Sequence, residues 1–325
     1  MFSPRTSTNV GMRLRGRWSL ASALLAVVVA ACSSQPAAQS PSRGVSADKL
    51  AQIAARGTIV LWTDPAYAPQ SFAVEGAKRL AMTKCAPNQM TAPEMSGYDA
   101  ETGKLVAEAL AVEACFVATP FDSMIAGSWG DRYDVAWASG ALTVGRMEKL
   151  YVTQPYYSTP ASFFVREDSP VARPAELKGK QIGACAGCTH ESYLKRELEL
   201  PGVEMEWFVE DPVIVTFNTE VPGLDAVVAG EIDAFLCSAT VGRAAIAEGA
   251  PLRELEDIAY YTQKTGYLDR DLTLDPVALL GAIDSAIADS HASGRLRELS
   301  LEFFEADYAT PAADFDLSAV GQNVP

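Results

Sequence analysis

Histidine is nearly absent. His190 and His291 are the only two in 325 residues, which excludes a metal centre built from several imidazoles. Positive charge is scarce as well, with 26 Lys and Arg against 41 Asp and Glu and a formal net charge of −15. A surface of that sign repels phosphate backbones, so nucleic-acid binding is excluded as a function class. Long apolar runs are missing apart from one at residues 20–31. What the chain has is an ordinary globular balance, 49% hydrophobic and 21% charged, with length enough for two domains and two cores.

The apolar run follows Arg13, Arg15 and Arg17. It is too short to cross a bilayer comfortably and has the length of a signal-peptide core. It ends Val29-Ala30-Ala31-Cys32, which resembles the bacterial lipobox, so residues 1–31 read as a signal peptide and Cys32 as the lipidation site. Residues 32–47 are polar, rich in Ser, Pro and Gln, and read as a flexible tether. Losing the leader removes Arg5, Arg13, Arg15 and Arg17 and leaves 22 basic against 41 acidic residues. The expected location is the periplasm or cell envelope, held to a membrane through the lipid on Cys32.

From about Asp48 short β-rich runs alternate with amphipathic segments, which points to α/β architecture. Residues 59–62, 116–117, 135–137, 162–165, 181–184 and 233–237 read as strands. Asp99 opens a helix with Leu105, Val106, Ala109 and Leu110 on one face. Further helices are expected after Gly187, over 224–229 and 241–248, and over 276–293 and 296–304. No internal repeat is visible, and residues 309–325 read as a loose tail.

Several pieces of this pattern occur in an order that resembles a known family. They are Arg56-Gly57-Thr58-Ile59-Val60-Leu61 with Thr63-Asp64-Pro65-Ala66-Tyr67, then Gly97-Tyr98-Asp99, Tyr133-Asp134-Val135 and Leu142-Thr143-Val144-Gly145-Arg146. Gln154-Pro155-Tyr156-Tyr157, Leu177-Lys178-Gly179-Lys180, Gly187-Cys188-Thr189 and Gly230-Glu231-Ile232-Asp233-Ala234 complete the set. Each is weak alone. The ordered set, over residues 48–308, resembles the bacterial extracellular solute-binding proteins of family 3, the polar amino-acid ABC transporter type, here in lipoprotein form.

The resemblance implies a two-lobed periplasmic binding protein of type II, with two hinge crossings and a cleft between lobes that closes on a ligand. Lobe 1 would span residues 48–156 and 261–308, and lobe 2 residues 157–260, with crossings near 155–160 and 259–263. It also implies site residues. Arg146 would grip the ligand carboxylate with its planar fork, although alone it reads equally as a surface arginine pairing with Glu148. Tyr67 and Phe121 match aromatic positions that sandwich ligand side chains. Asp64, Ser139, Cys188 and Thr189 complete the pocket, Thr189 at a helix start where backbone N–H groups favour an anion. Ser238 stands where the family carries an aspartate for the ligand ammonium, and Ala141 where it carries a hydroxyl donor. Asp64 or Glu191 is left to supply the missing negative charge.

Five cysteines remain after Cys32. A Cys85–Cys115 bridge would staple the extra segment 84–96 to the lobe-1 core. Cys185 and Cys188 form a CxxC at a strand-to-helix turn, read as a structural disulfide ahead of a redox pair or a metal site. Cys237 reads as an inert buried thiol. The implied function is capture of a small carboxylate-bearing solute, most simply an amino acid, by a monomeric carrier that hands it to an ABC permease in the inner membrane, with no cofactor, no metal and no catalysis. The alternatives are a periplasmic enzyme on the same fold, similar to cyclohexadienyl dehydratase with Glu191 or Glu220 as proton donor, and a binding subunit of an oxidation or sensory system.

Overall fold

The computed structural model describes residues 48–321. The expected signal peptide, Cys32 and the tether to residue 47 lie outside the described residues. Within those residues no helix is long and apolar enough to cross a membrane.

One sheet of ten strands runs in the order Val213–Phe217, Gln181–Cys185, Ala234–Ser238, Tyr157–Arg166, Leu252–Asp269, Val135–Ala141, Thr58–Trp62, Glu113–Val117 and Met90–Thr91. Leu150–Val152 pairs with Leu252–Asp269 off this path. On one side Thr58–Trp62 lies between two parallel neighbours, Glu113–Val117 and Val135–Ala141. On the other Gln181–Cys185 lies between Val213–Phe217 and Ala234–Ser238, again in parallel. The same arrangement is therefore built twice, although no repeat is visible in the sequence. Packing fixes which positions are apolar, not which apolar residue stands there. The central strands are covered on both faces and read apolar along their whole length, as the fully buried Thr58–Trp62 does.

Two long antiparallel strands join the halves. Tyr157–Arg166 and Leu252–Asp269 pair from Lys264 opposite Tyr157 to Leu252 opposite Arg166. They are the two crossings expected in a type II binding fold. Each half keeps its own core. Ile59, Leu61, Trp137, Leu279, Ile283 and Ile287 pack in the first, and Phe163, Ile182, Leu194 and Leu236 in the second. The C-terminal helices Val277–Ala292 and Arg295–Phe304 bury their apolar stripes in the first core, so the chain returns to the half in which it began.

Two details differ from the sequence expectation. Helix Tyr98–Ala109 turns Asp99, Thr102, Gly103, Val106 and Ala107 inward, while Leu105 and Leu110 are only half-buried. The cause is Gly103, where a Cβ would sit 2.8 Å from Leu61 Cδ1. The helix lies too close to the sheet for large side chains on that face. Residues 309–321 are not a loose tail. Helix Thr310–Ala313 and the turn Leu317–Val320 bury Ala309, Ala312 and Leu317 against the body.

Cys85 and Cys115 are joined in a disulfide, 30 residues apart in sequence. It ties the loop before Met90–Thr91 to the strand Glu113–Val117. Closing a loop of that length stabilises by about 3–4 kcal/mol through the unfolded chain. A Cys85→Ala/Cys115→Ala variant is expected to lose about 2–4 kcal/mol in urea unfolding, with ligand binding retained because neither residue reaches the crevice described below.

Candidate ligand-binding site

Trp62, Cys185 and Ser238 each end a parallel strand, and Asn218 follows directly after Phe217. Together with Ala138, Ser139 and Ala141 they converge on a cavity of about 70 Å³ between the halves. Crevices at the carboxyl ends of parallel strands are where open α/β sheets bind ligands, because successive connections diverge there and leave backbone groups free. Asp64, Tyr67, Phe121, Ser139, Arg146, Cys188, Thr189 and Ser238, the residues singled out in the sequence, all line this cavity.

Arg146 lies in the short helix Val144–Lys149, whose first turn is capped by Thr143 accepting from the Arg146 N–H at 3.2 Å. Its guanidinium donates to the Tyr267 hydroxyl at 3.1 Å and, at greater length, to the carbonyls of Ala141 (3.4 Å) and Gly187 (3.5 Å). It also lies 5.6 Å above the Phe121 ring, a cation–π distance. Every partner is neutral. Glu148 is not among them, and no described carboxylate forms an ion pair with Arg146. In a chain with so many acids, an arginine on a cavity wall with no carboxylate partner among the described residues keeps its planar fork open to an anion.

The crevice is bridged. The Tyr67 hydroxyl meets Ser238 Oγ at 3.1 Å, Gln70 donates to Thr240 Oγ1 at 2.6 Å, and the Val144 N–H donates to the Glu199 carbonyl at 3.1 Å. Tyr67 comes from the first half and packs against the second-half core. Phe121 leans on Trp62, their ring centroids 6.2 Å apart. Trp62, Tyr67 and Phe121 thus make an aromatic wall; Trp62 reads only as a strand residue in the sequence, although its place at a strand end was the available signal.

Three charged or titratable residues of the cavity were not expected as ligand contacts: His190, Glu220 and Lys264. Glu220, expected only as a proton donor in the enzymatic alternative, is 4% exposed, and its Oε1 lies 2.9 Å from His190 Nε2. His190 Nδ1 lies 2.6 Å from the Tyr260 hydroxyl. Burial lowers the His190 pKa and keeps the ring neutral, so Nε2–H donates to Glu220 while Tyr260 donates to Nδ1. Lys264, on the return crossing, is 4% exposed, and burial brings its pKa down to about 8. Burial also raises the Asp64 carboxyl, which accepts from the Ala66 N–H at 2.9 Å. Glu191 does not line the cavity; it pairs with Lys195 at 2.7 Å and accepts from the Gly187 N–H at 2.6 Å. The walls therefore carry two cations, Arg146 and Lys264, and two acids, Asp64 and Glu220.

Below the cavity floor Ser139 adopts φ 54°, a left-handed conformation costly for a residue other than glycine. Its hydroxyl donates to Asp99 Oδ2 at 2.5 Å and its N–H to the Tyr156 hydroxyl at 2.9 Å, while Tyr156 donates to Asp99 Oδ1 at 2.8 Å. Tyr157 also meets the Ser139 hydroxyl. Ser139 thus lines the cavity with its hydroxyl turned down to Asp99. Burial pushes the Asp99 pKa up to about 7 despite these donors.

Cys185 and Cys188 are joined in a disulfide that forms part of the cavity wall. With His190 they cluster within 4.8 Å, but both sulfurs are committed to the bridge and both ring nitrogens to hydrogen bonds, so the trio offers a metal no thiolate. Cys237 is a buried free thiol whose pKa burial raises.

The two-lobed α/β fold with its paired crossings defines the class: a periplasmic binding protein of type II. The chain belongs to the bacterial extracellular solute-binding proteins, family 3, whose model matches residues 59–306. An L-arginine-binding protein of Pseudomonas aeruginosa is 26% identical over 225 residues, 66% of this chain and 81% of that protein. An L-cystine-binding protein of Escherichia coli is 25% identical over 260 residues, 79% and 86% of the two chains. Among solved structures, an ancestral amino acid-binding protein, a precursor of cyclohexadienyl dehydratase, aligns with TM-score 0.62 at 22% identity. That alignment covers 79% of this chain and all of the other, and carries the fold alone.

The Asp99 carboxyl has a testable consequence. Its folded pKa of about 7 stands above the 3.8 usual for an aspartate, so between these values the folded state holds a proton the unfolded chain has released. Its contribution to stability is present at low pH and is lost as pH rises through about 7. Urea unfolding across this range is expected to show the native protein losing stability relative to Asp99→Asn, by a few kcal/mol in all, with a difference that is flat above pH 8.

Proposed function

We propose that this protein is a periplasmic substrate-binding lipoprotein of an ABC transporter that captures an α-amino acid by closure of the crevice. The observation that carries the reading is the Arg146 guanidinium, set on the cavity wall with neutral partners only. A ligand carboxylate supplies the missing anion, and the side chain of the ligand lies against Tyr67 and Phe121. Two wall cations balanced by two wall acids favour a zwitterion over a simple anion, since a net-neutral ligand leaves no charge unpaired on closure. Relatives that bind L-arginine and L-cystine agree with this class.

In this reading lobe 1 is residues 48–156 and 261–308, lobe 2 is residues 157–260, and the hinge lies where Tyr157–Arg166 and Leu252–Asp269 run side by side. Asp64, Ser139, Cys188, Thr189 and Ser238 serve as pocket contacts. Cys32 carries the lipid, the protein is a monomer, and its macromolecular partner is an inner-membrane permease. No turnover is expected: a bound amino acid is recovered unchanged by mass spectrometry after prolonged incubation. Conversion of prephenate or arogenate would instead favour an enzymatic role for the His190–Glu220 pair.

Calorimetric titration against the twenty standard L-amino acids and L-cystine tests the binding reading, with at least one expected to bind and to raise the melting temperature. Arg146→Ala is expected to weaken that binding by about 2–5 kcal/mol. An unchanged dissociation constant removes Arg146 from the site.

A further inference from the structure

Ser238 ends the strand Ala234–Ser238 and offers the cavity a hydroxyl where a charge is needed to match an ammonium. A full charge stands directly behind it. The Ser238 N–H donates to Glu220 Oε1 at 3.4 Å, so the two residues adjoin although they are 18 apart in sequence. Glu220 is the first residue of helix Glu220–Ala229, which starts just past the carboxyl end of Val213–Phe217, the same end of the parallel strands at which Ser238 stands. Its two oxygens are used unequally. Oε1 takes His190 Nε2–H and the Ser238 N–H, whereas Oε2 is buried with no hydrogen-bond partner among the described residues. A buried carboxylate oxygen without a donor is costly, and this one belongs to a residue that lines the cavity, where a ligand can supply the donor.

Neither of two charged or titratable neighbours fills that place. Lys264 lines the same cavity but forms no ion pair with Glu220 among the described residues. His190 is neutral and already donates its single ring proton to Oε1, so it leaves the charge of Glu220 uncancelled. That charge acts across the crevice, adding to the rise in the pKa of Asp64 and Tyr67 and opposing the fall of Lys264.

We infer that Glu220 is the cation-binding residue of this site, with Oε2 accepting a hydrogen bond from the ligand's α-ammonium. The acid that pairs with the ammonium has been moved from residue 238 to a neighbouring element, and Ser238 makes room for it to reach the crevice. This rests on the reading of the crevice as an amino-acid site and names the class it selects: primary α-amino acids over the same carboxylic acids lacking the amine.

The test uses the purified protein and two probes, the tightest-binding of the twenty standard L-amino acids and its desamino carboxylic acid. By calorimetry the native protein is expected to prefer the amino acid, and Glu220→Gln to cut that preference at least tenfold, with the desamino acid bound at least as tightly as before because a negative charge has left the wall. An unchanged preference in Glu220→Gln overturns the assignment. A crystal structure of the unaltered protein with the same amino acid serves if that variant does not fold. Nitrogen within hydrogen-bond distance of Glu220 Oε2 supports the assignment, and an ammonium paired elsewhere overturns it. Absence of binding by all twenty amino acids overturns the underlying reading and the assignment with it, a result distinct from either of the others.

Discussion

A charge taken out of water has to be paired, and the crevice of this protein holds charges that have no charged partner among the described residues. Among the described residues Arg146 is met by a hydroxyl, two long carbonyl contacts and the face of Phe121. Glu220 presents one oxygen with no donor. Other charges of the chain do find charged partners: the buried Lys49 is matched by Asp131 and Asp134, at 2.8 and 3.0 Å, and the surface carries ion pairs such as Arg243 with Glu254. Leaving cavity charges incompletely paired costs stability, and the proposed ligand offsets that cost by bringing the opposite charges.

The architecture serves this imbalance. Two parallel sheet halves point their strand ends at one another, and two antiparallel strands hold them in register without fusing their cores. Residues far apart in sequence, such as Tyr67 and Ser238, meet only because the halves do. The Asp99 network under the cavity ties Ser139 to Tyr156 and Tyr157, which begin the first crossing. The cavity floor and the hinge are thus one hydrogen-bonded unit. This offers a physical route by which occupancy is felt at the hinge.

Much of this was legible in the sequence. The strand at residues 59–62, the turn at Gly187 and the arginine at the end of Leu142-Thr143-Val144-Gly145-Arg146 are local patterns with local causes, and they place half the crevice. The rest depends on what packs where. In the sequence Glu220 enters only as a proton donor for the enzymatic alternative and Lys264 is not singled out, because nothing within a few residues of either signals that a helix start and a crossing strand will be buried at one cavity. The face of helix Tyr98–Ala109 was misread for the same reason: Gly103 matters only once Leu61 and Trp137 lie opposite it. The last residues read as a tail because their apolar positions, Ala309, Ala312 and Leu317, are too few to form a pattern without the surface that covers them.

The most direct measurement is a crystal structure of the protein with its tightest-binding L-amino acid. The account predicts that molecule between the halves, its carboxylate about 3 Å from the Arg146 guanidinium nitrogens. A ligand bound outside the crevice, or an Arg146 side chain turned to solvent with the carboxylate held elsewhere, would contradict it.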